Sequence, residues 1–262
     1  MTSQAGTDRS LGAPGLGEVE QHSLARSVAL HLVPGAMLAT LFYLGGPLAI
    51  SAGYPAIFAG VVAAAVVIVG GELGWLLREG HRRTRSWSIA AALPFRPGPF
   101  TWGKGMLTIG LFGWAFLAAV VMGSISGSIK NEFFAWMPEW ALNPLPASFG
   151  DTGSATARVA TAVGFLVVLG VLGPLTEELY FRGYLLPRIG RFGEWAPLMN
   201  VSLFALYHLW KPWEVLTLII VLGPTMYAVW RLRDIRISIA VHIGLNSGVA
   251  WLLNIAPTLL FD

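Results

Sequence analysis

A chain of 262 residues that is 55% hydrophobic and only 12% charged is too apolar for a soluble domain, in which roughly a quarter of residues are charged. Its net charge of +3 comes from arginines in short clusters between apolar runs, not from one basic stripe, which argues against a nucleic-acid partner. The absence of cysteine excludes disulfides, thiolate metal sites and cysteine nucleophiles together.

Residues 1–25 are polar, rich in Gly, Ser and Thr, and lack an apolar run of signal-peptide length; a disordered cytoplasmic tail is expected. The remainder, 26–262, reads as one membrane domain: an all-α, polytopic helical bundle of about seven transmembrane helices. Span one runs over 27–50, with Pro34 and Gly35 tolerated as they often are in membrane helices. Span two covers 54–77, and Glu72 near its end is expected to reach the interface and pair with Arg78. A basic loop follows, in which the prolines of LPFRPGPF favour a re-entrant or surface segment over a continuous helix. Span three is expected over 103–123. The polar loop 124–156 comes next, with an aromatic FFAWMPEW suited to the membrane surface.

Span four starts near Ala157 and runs into LTEELYFRGYLLPR, with Pro174 expected to kink it just before Glu177. Spans five, six and seven are expected over 195–209, 213–230 and 237–255. Fourteen of the 17 Lys and Arg residues fall on the side of the N-terminus, and only Lys130, Arg158 and Lys211 on the other. The excess predicts a cytoplasmic N-terminus.

Ionisable side chains at membrane depth are costly and read as functional by default. Neighbouring helical residues are rotated by ~100°, so Glu177 and Glu178 cannot face the same way. Glu178 and Arg182 are i,i+4 neighbours in the favourable order and can form an ion pair. Phe204-x-x-x-His208 lies on span five. His242-x-x-x-Asn246 puts an imidazole and an amide on one face of span seven. Singly, each is open to a structural account, as an ion pair, a packed histidine or an interhelical hydrogen bond. Together they form an inventory able to bind a divalent metal or to activate a water directly. His22, His31 and His81 have no comparable setting.

The three elements Glu177-Glu178-x-x-x-Arg182, Phe204-x-x-x-His208 and His242-x-x-x-Asn246, in this order, resemble the motifs of the CPBP family over about 157–255. That family comprises type II CAAX prenyl proteases and bacteriocin-processing or self-immunity (Abi) proteins. The resemblance implies a multi-pass protein of the cell membrane, among membrane lipid, that cuts a peptide or protein substrate, either prenylated or carrying a leader sequence, near the cytoplasmic half of the bilayer. It implies catalytic roles for Glu177 as general base and for His208, His242 and Asn246 in holding water, metal or oxyanion. Glu178, Arg182 and Phe204 would support them. It also implies a divalent metal such as zinc on Glu177, His208 and His242, or a metal-free glutamate mechanism. A non-proteolytic immunity or binding protein of the same fold is one alternative. A proton- or cation-coupled transporter is another, disfavoured by the lack of an inverted repeat. There is no His-Glu-x-x-His, nor a serine or aspartyl intramembrane-protease motif.

Simple span boundaries set His208 ~20 Å deep while Glu177 and His242 stay toward the cytoplasmic ends. Convergence therefore requires span four to continue through Tyr184 or beyond, with span five starting deeper than Trp195.

Overall fold

The computed structural model describes residues 19–145 and 153–254, with side chains to 248. Most of the expected tail and the end of the motif region at Ile255 lie outside the described residues. Seven long helices follow one another: α1 (Leu24–Ser51), α2 (Ile57–Thr84), α3 (Trp102–Phe133), α4 (155–185), α5 (Ala196–Tyr207), α6 (Val215–Leu232) and α7 (Ile235–Asn254). No strand occurs among the described residues. Among the described residues five stretches, not seven, are long and apolar enough to cross a membrane: α4 and α5 belong to one helical run, Ala155–Tyr207, and α7 is not among the five.

The helix starts follow from side-chain caps. Ser23, Thr101 and Ser154 each accept from the backbone N–H three residues on, opening α1, α3 and α4. Left-handed backbone at Arg85 and Arg233 closes α2 and α6. Lipid-facing surfaces account for the many exposed apolar side chains, among them Leu44, Leu48, Ile109, Leu117 and Val121.

Several boundaries move from expectation. Val19–Ser23, assigned to the tail, instead dock on the chain that follows α4: the His22 N–H donates to the Arg188 carbonyl at 2.8 Å and the Gln21 amide to the Pro187 carbonyl at 3.0 Å. Helix α3 continues ten residues past Gly123 to Phe133, with the Ser128 hydroxyl folding back on the Ser124 carbonyl at 3.0 Å. The aromatic segment after it packs Trp140 against Phe42 and Tyr43 of α1. Glu72 does not pair with Arg78. Six residues apart on a helix the two face directions ~120° apart, and Glu72 points inward, 3% exposed. It is Glu79 that holds arginines, Arg82 at 2.9 Å and Arg83 at 2.8 Å.

The positioning of the motifs depends on α4 and α5. Helical turns continue past Glu177 to Leu185, as convergence required, and a tight Leu186–Trp195 segment then reverses the chain. Helix α5 starts directly after Trp195, not deeper, and its short length ends it at Tyr207, inside the bundle. Helix α1 fits against this end closely. A Cβ at Gly35 would collide with the Tyr207 carbonyl oxygen. His31 of α1 adds a polar tie, receiving the Asn200 amide at Nε2 (3.1 Å), while Asn200 also donates to the Phe181 carbonyl at 3.0 Å.

Candidate active site

Glu177 ends the first regular turn after Pro174 in α4 and is 5% exposed. Glu178, one residue on, is rotated away and fully buried. Its two oxygens divide the work: Oε2 lies 3.3 Å from the Arg182 Nε and Oε1 2.8 Å from the His242 Nδ1. The expected Glu178–Arg182 pair therefore extends to a third member on α7. Arg182 also lies 3.8 Å over the Phe204 ring and meets the Met226 sulfur at 2.8 Å, so its charge is spread over a π face as well as a carboxylate.

An ionised carboxylate only accepts, so the His242 Nδ1 carries the hydrogen. Its Nε2 then turns toward Glu177, 3.8 Å from Oε2. His208 is set in the same sense by a different partner: its Nδ1 lies 2.9 Å from the Phe204 carbonyl one turn back, leaving Nε2 free. The Phe204 ring meets both imidazoles edge-on, at 4.8 Å from His208 and 6.0 Å from His242. Phe204 thus packs between the arginine and the two histidines.

Glu177, His208, His242 and Asn246, far apart in sequence, line one cavity of about 540 Å³. Its apolar wall includes Leu38, Phe42, Ile57, Ile68, Phe165 and Leu218. Lys130 and Lys211 also line it, so it runs to the helix ends opposite the arginine-rich loops.

Asn246 is brought to the cavity but occupied by the backbone. Leu169 and Gly170 lie in the wide-turned segment Phe165–Leu172, where the Gly173 N–H reaches back to the Val168 carbonyl. In that register the Leu169 carbonyl would need an N–H from Pro174, which has none. The Asn246 amide supplies it at 3.1 Å, and the Ser247 hydroxyl donates to the Gly170 carbonyl at 3.0 Å. Pro174 thus shapes this part of α4 through the N–H it lacks, and Asn246 of α7 replaces that donor.

Tyr207 was not singled out by sequence, and Glu72 was expected at the interface and not beside Glu177. The Tyr207 hydroxyl stands beside the Glu72 and Glu177 carboxyls without closing a hydrogen bond to either. Its position directly before His208 was the available signal, masked by its resemblance to an ordinary core aromatic.

Two imidazole Nε2 atoms and a carboxylate have the donor chemistry of a zinc site. Their spacing does not fit one: among the described residues no three His, Asp or Glu side chains stand close enough to share an ion. The expected ligand set Glu177, His208 and His242 is therefore not assembled as a metal centre.

Residues 159–248 match the family model described as Type II CAAX prenyl endopeptidase Rce1-like. No curated protein and no solved structure matches the chain. The matched segment contains all three motifs and the polar residues that meet around Glu178 and Glu177, apart from Glu72. The match covers 90 of the 262 residues and agrees with the resemblance of the three motifs to the CPBP family; with helices long and apolar enough to cross a membrane among the described residues, it supports an integral membrane protein of intramembrane-protease type.

Proposed function

We propose that the protein is an endopeptidase in which Glu177 activates water directly against a peptide carbonyl. The observation that carries this reading is the meeting of Glu177, His208 and His242, from three separate elements, on one largely apolar cavity. Glu177 takes a proton from water as the oxygen attacks the carbonyl carbon. His208 Nε2 accepts the other hydrogen of that water and fixes its direction. His242, oriented by the Glu178 carboxylate, turns its Nε2 edge toward the carbonyl oxygen where negative charge develops. Glu177 then returns its proton to the leaving amine.

The cavity is of a size that holds a short peptide segment. Its apolar lining favours the end of a prenylated, CAAX-type protein over a polar leader peptide as substrate. The site of action would be the cell membrane.

The test is cleavage in lipid vesicles by purified protein, using fluorogenic peptides of one sequence with and without a farnesyl group. Wild type is expected to cut the farnesylated peptide, and Glu177→Gln to lower the rate by ~10²–10⁴-fold while staying folded. Full cleavage by that variant would remove Glu177 as the base. Direct water activation further predicts that cleavage survives exhaustive chelation; loss on chelation with rescue by zinc would replace it with a metal-held water.

A further inference from the structure

The apolar cavity contains a cation that the mechanism above leaves unused. Lys211 follows His208 by one turn, its N–H donating to the His208 carbonyl at 3.0 Å, and its half-buried side chain lines the cavity. The backbone of Lys211 is fixed at both ends, since its carbonyl also accepts from the Glu214 N–H at 3.0 Å. Its ammonium closes no hydrogen bond or ion pair with any described residue.

The other charged groups here are accounted for. Lys130 donates to the Asn143 side-chain oxygen at 2.8 Å. Glu214 accepts from the Ser126 hydroxyl at 3.3 Å, and together with Glu177 attracts Lys211 only from beyond ion-pair distance. Glu177 must keep its oxygens for water. An ammonium drawn into such a setting loses hydration that nothing in the folded chain fully replaces. An entering anion would replace it.

We propose that Lys211 is a specificity-determining residue that binds a carboxylate of the peptide substrate and so holds the scissile bond against Glu177. This rests on the protease reading and names the chemistry its substrate must present. A peptide can offer the carboxylate in two ways, as its C-terminal α-carboxylate or as an Asp or Glu side chain near the cut. In both cases the contact forms before and during reaction alike, so its loss raises KM more than it lowers kcat.

The experiment measures binding separately from turnover. Labelled peptides of one sequence, ending in a free acid or a carboxamide and carrying Asp or Asn near the expected cut, are titrated onto the vesicle-reconstituted Glu177→Gln protein, with and without Lys211→Met or Lys211→Arg. The free acid, or the Asp peptide, is expected to bind about tenfold to a hundredfold tighter than its neutral counterpart, the range for a hydrogen bond to a charged group. Lys211→Met should abolish that preference, and Lys211→Arg should keep most of it. Which pair shows the difference identifies the source of the carboxylate. Equal binding of acid and neutral peptides, or no binding of either, overturns the proposal, whatever the variants do. A carboxylate preference in a protein whose wild type cuts none of these peptides would instead defeat the protease reading and leave the anion site standing.

Discussion

The three helices α1 to α3 supply few of the polar groups that meet in the interior, and the four helices α4 to α7 supply most of them. In the second set Glu178, Arg182, Asn200, His208 and His242 are all buried, and each meets at least one partner on a neighbouring turn or helix. The first set lends the cavity mainly apolar and small residues, Leu38, Phe42, Ile57, Gly60, Ala64 and Ile68. Its one deep carboxyl, Glu72, makes no hydrogen bond and faces Tyr207 of the second set. A buried charge is tolerable only where its partners are complete. Chemistry is accordingly concentrated where the ionisable side chains of α4, α5 and α7 meet, and the remaining helices shape what can reach it.

The strongest way to break this contrast is to open the charged cluster. Glu178→Gln leaves Arg182 buried beside a neutral amide with one acceptor oxygen in place of two, so that it cannot serve both the Arg182 Nε and the His242 Nδ1. Breaking one partner of a buried pair costs ~3–5 kcal/mol, so a large fall in the thermal midpoint is expected together with loss of cleavage. Unchanged melting would show that the Phe204 ring and Met226 suffice for Arg182. Unchanged cleavage in a stable variant would show that the orientation of His242 is set elsewhere.

The same cluster marks how far the sequence can be read. Glu177, His208 and His242 were legible because an ionisable residue in an apolar run stands out on composition alone, and the i,i+4 spacing of Glu178 and Arg182 follows from helix geometry. The third member, His242, is 64 residues from Glu178, and no local period connects them. Asn246 was legible as a motif residue, but its partner was not, because the carbonyl it meets is freed by a proline on another helix. Helix ends were also poorly legible. Hydropathy sees the composition of α5 but not that it stops inside the bundle, which is what places His208 and Lys211 on one wall.

A smaller effect tests Asn246 directly. If its amide mainly replaces the donor that Pro174 lacks, Asn246→Ala strands the Leu169 carbonyl and costs ~1–3 kcal/mol, the penalty for an unsatisfied buried acceptor. Ser247→Ala, which strands the Gly170 carbonyl, should then destabilise comparably. A variant of Asn246 that melts as wild type but no longer cuts would instead restore it to oxyanion or water binding.

The apolar wall can be sharpened from the first three helices alone. At Gly60 an added Cβ would meet Ile57 and Phe42 at 3.6 Å, ordinary contact distance, so Gly60→Leu can extend into the cavity with little strain on its own helix. Filling peptide space this way should lower kcat/KM by about tenfold, the scale of a few methylenes in a pocket, with melting nearly unchanged. Equal activity on all peptides would mean that the substrate passes along another wall.

The smallest effect concerns the turn that sets the height of His242. Asp234, buried between α6 and α7, lies 2.7 Å from both Lys104 of α3 and Arg236. Burial alone would raise its carboxyl, but the hydrogen bonds from Arg236 and Lys104 outweigh it and hold the group at about 2, below its ordinary 3.8. A carboxyl depressed by folding contributes stability that is fully present above its unfolded value and is lost as pH falls through the folded one, here from about 4 down to about 2. Because the Arg236 side chain is 41% exposed, solvent screening reduces the contribution to about 1 kcal/mol. Thermal melts between pH 6 and pH 2 should therefore show Asp234→Asn starting slightly lower than wild type, with the two curves drawing together at the acid end. Parallel curves across the range would mean that the turn is held by packing and not by this carboxylate, and that the register of α7 depends on its contacts with α4.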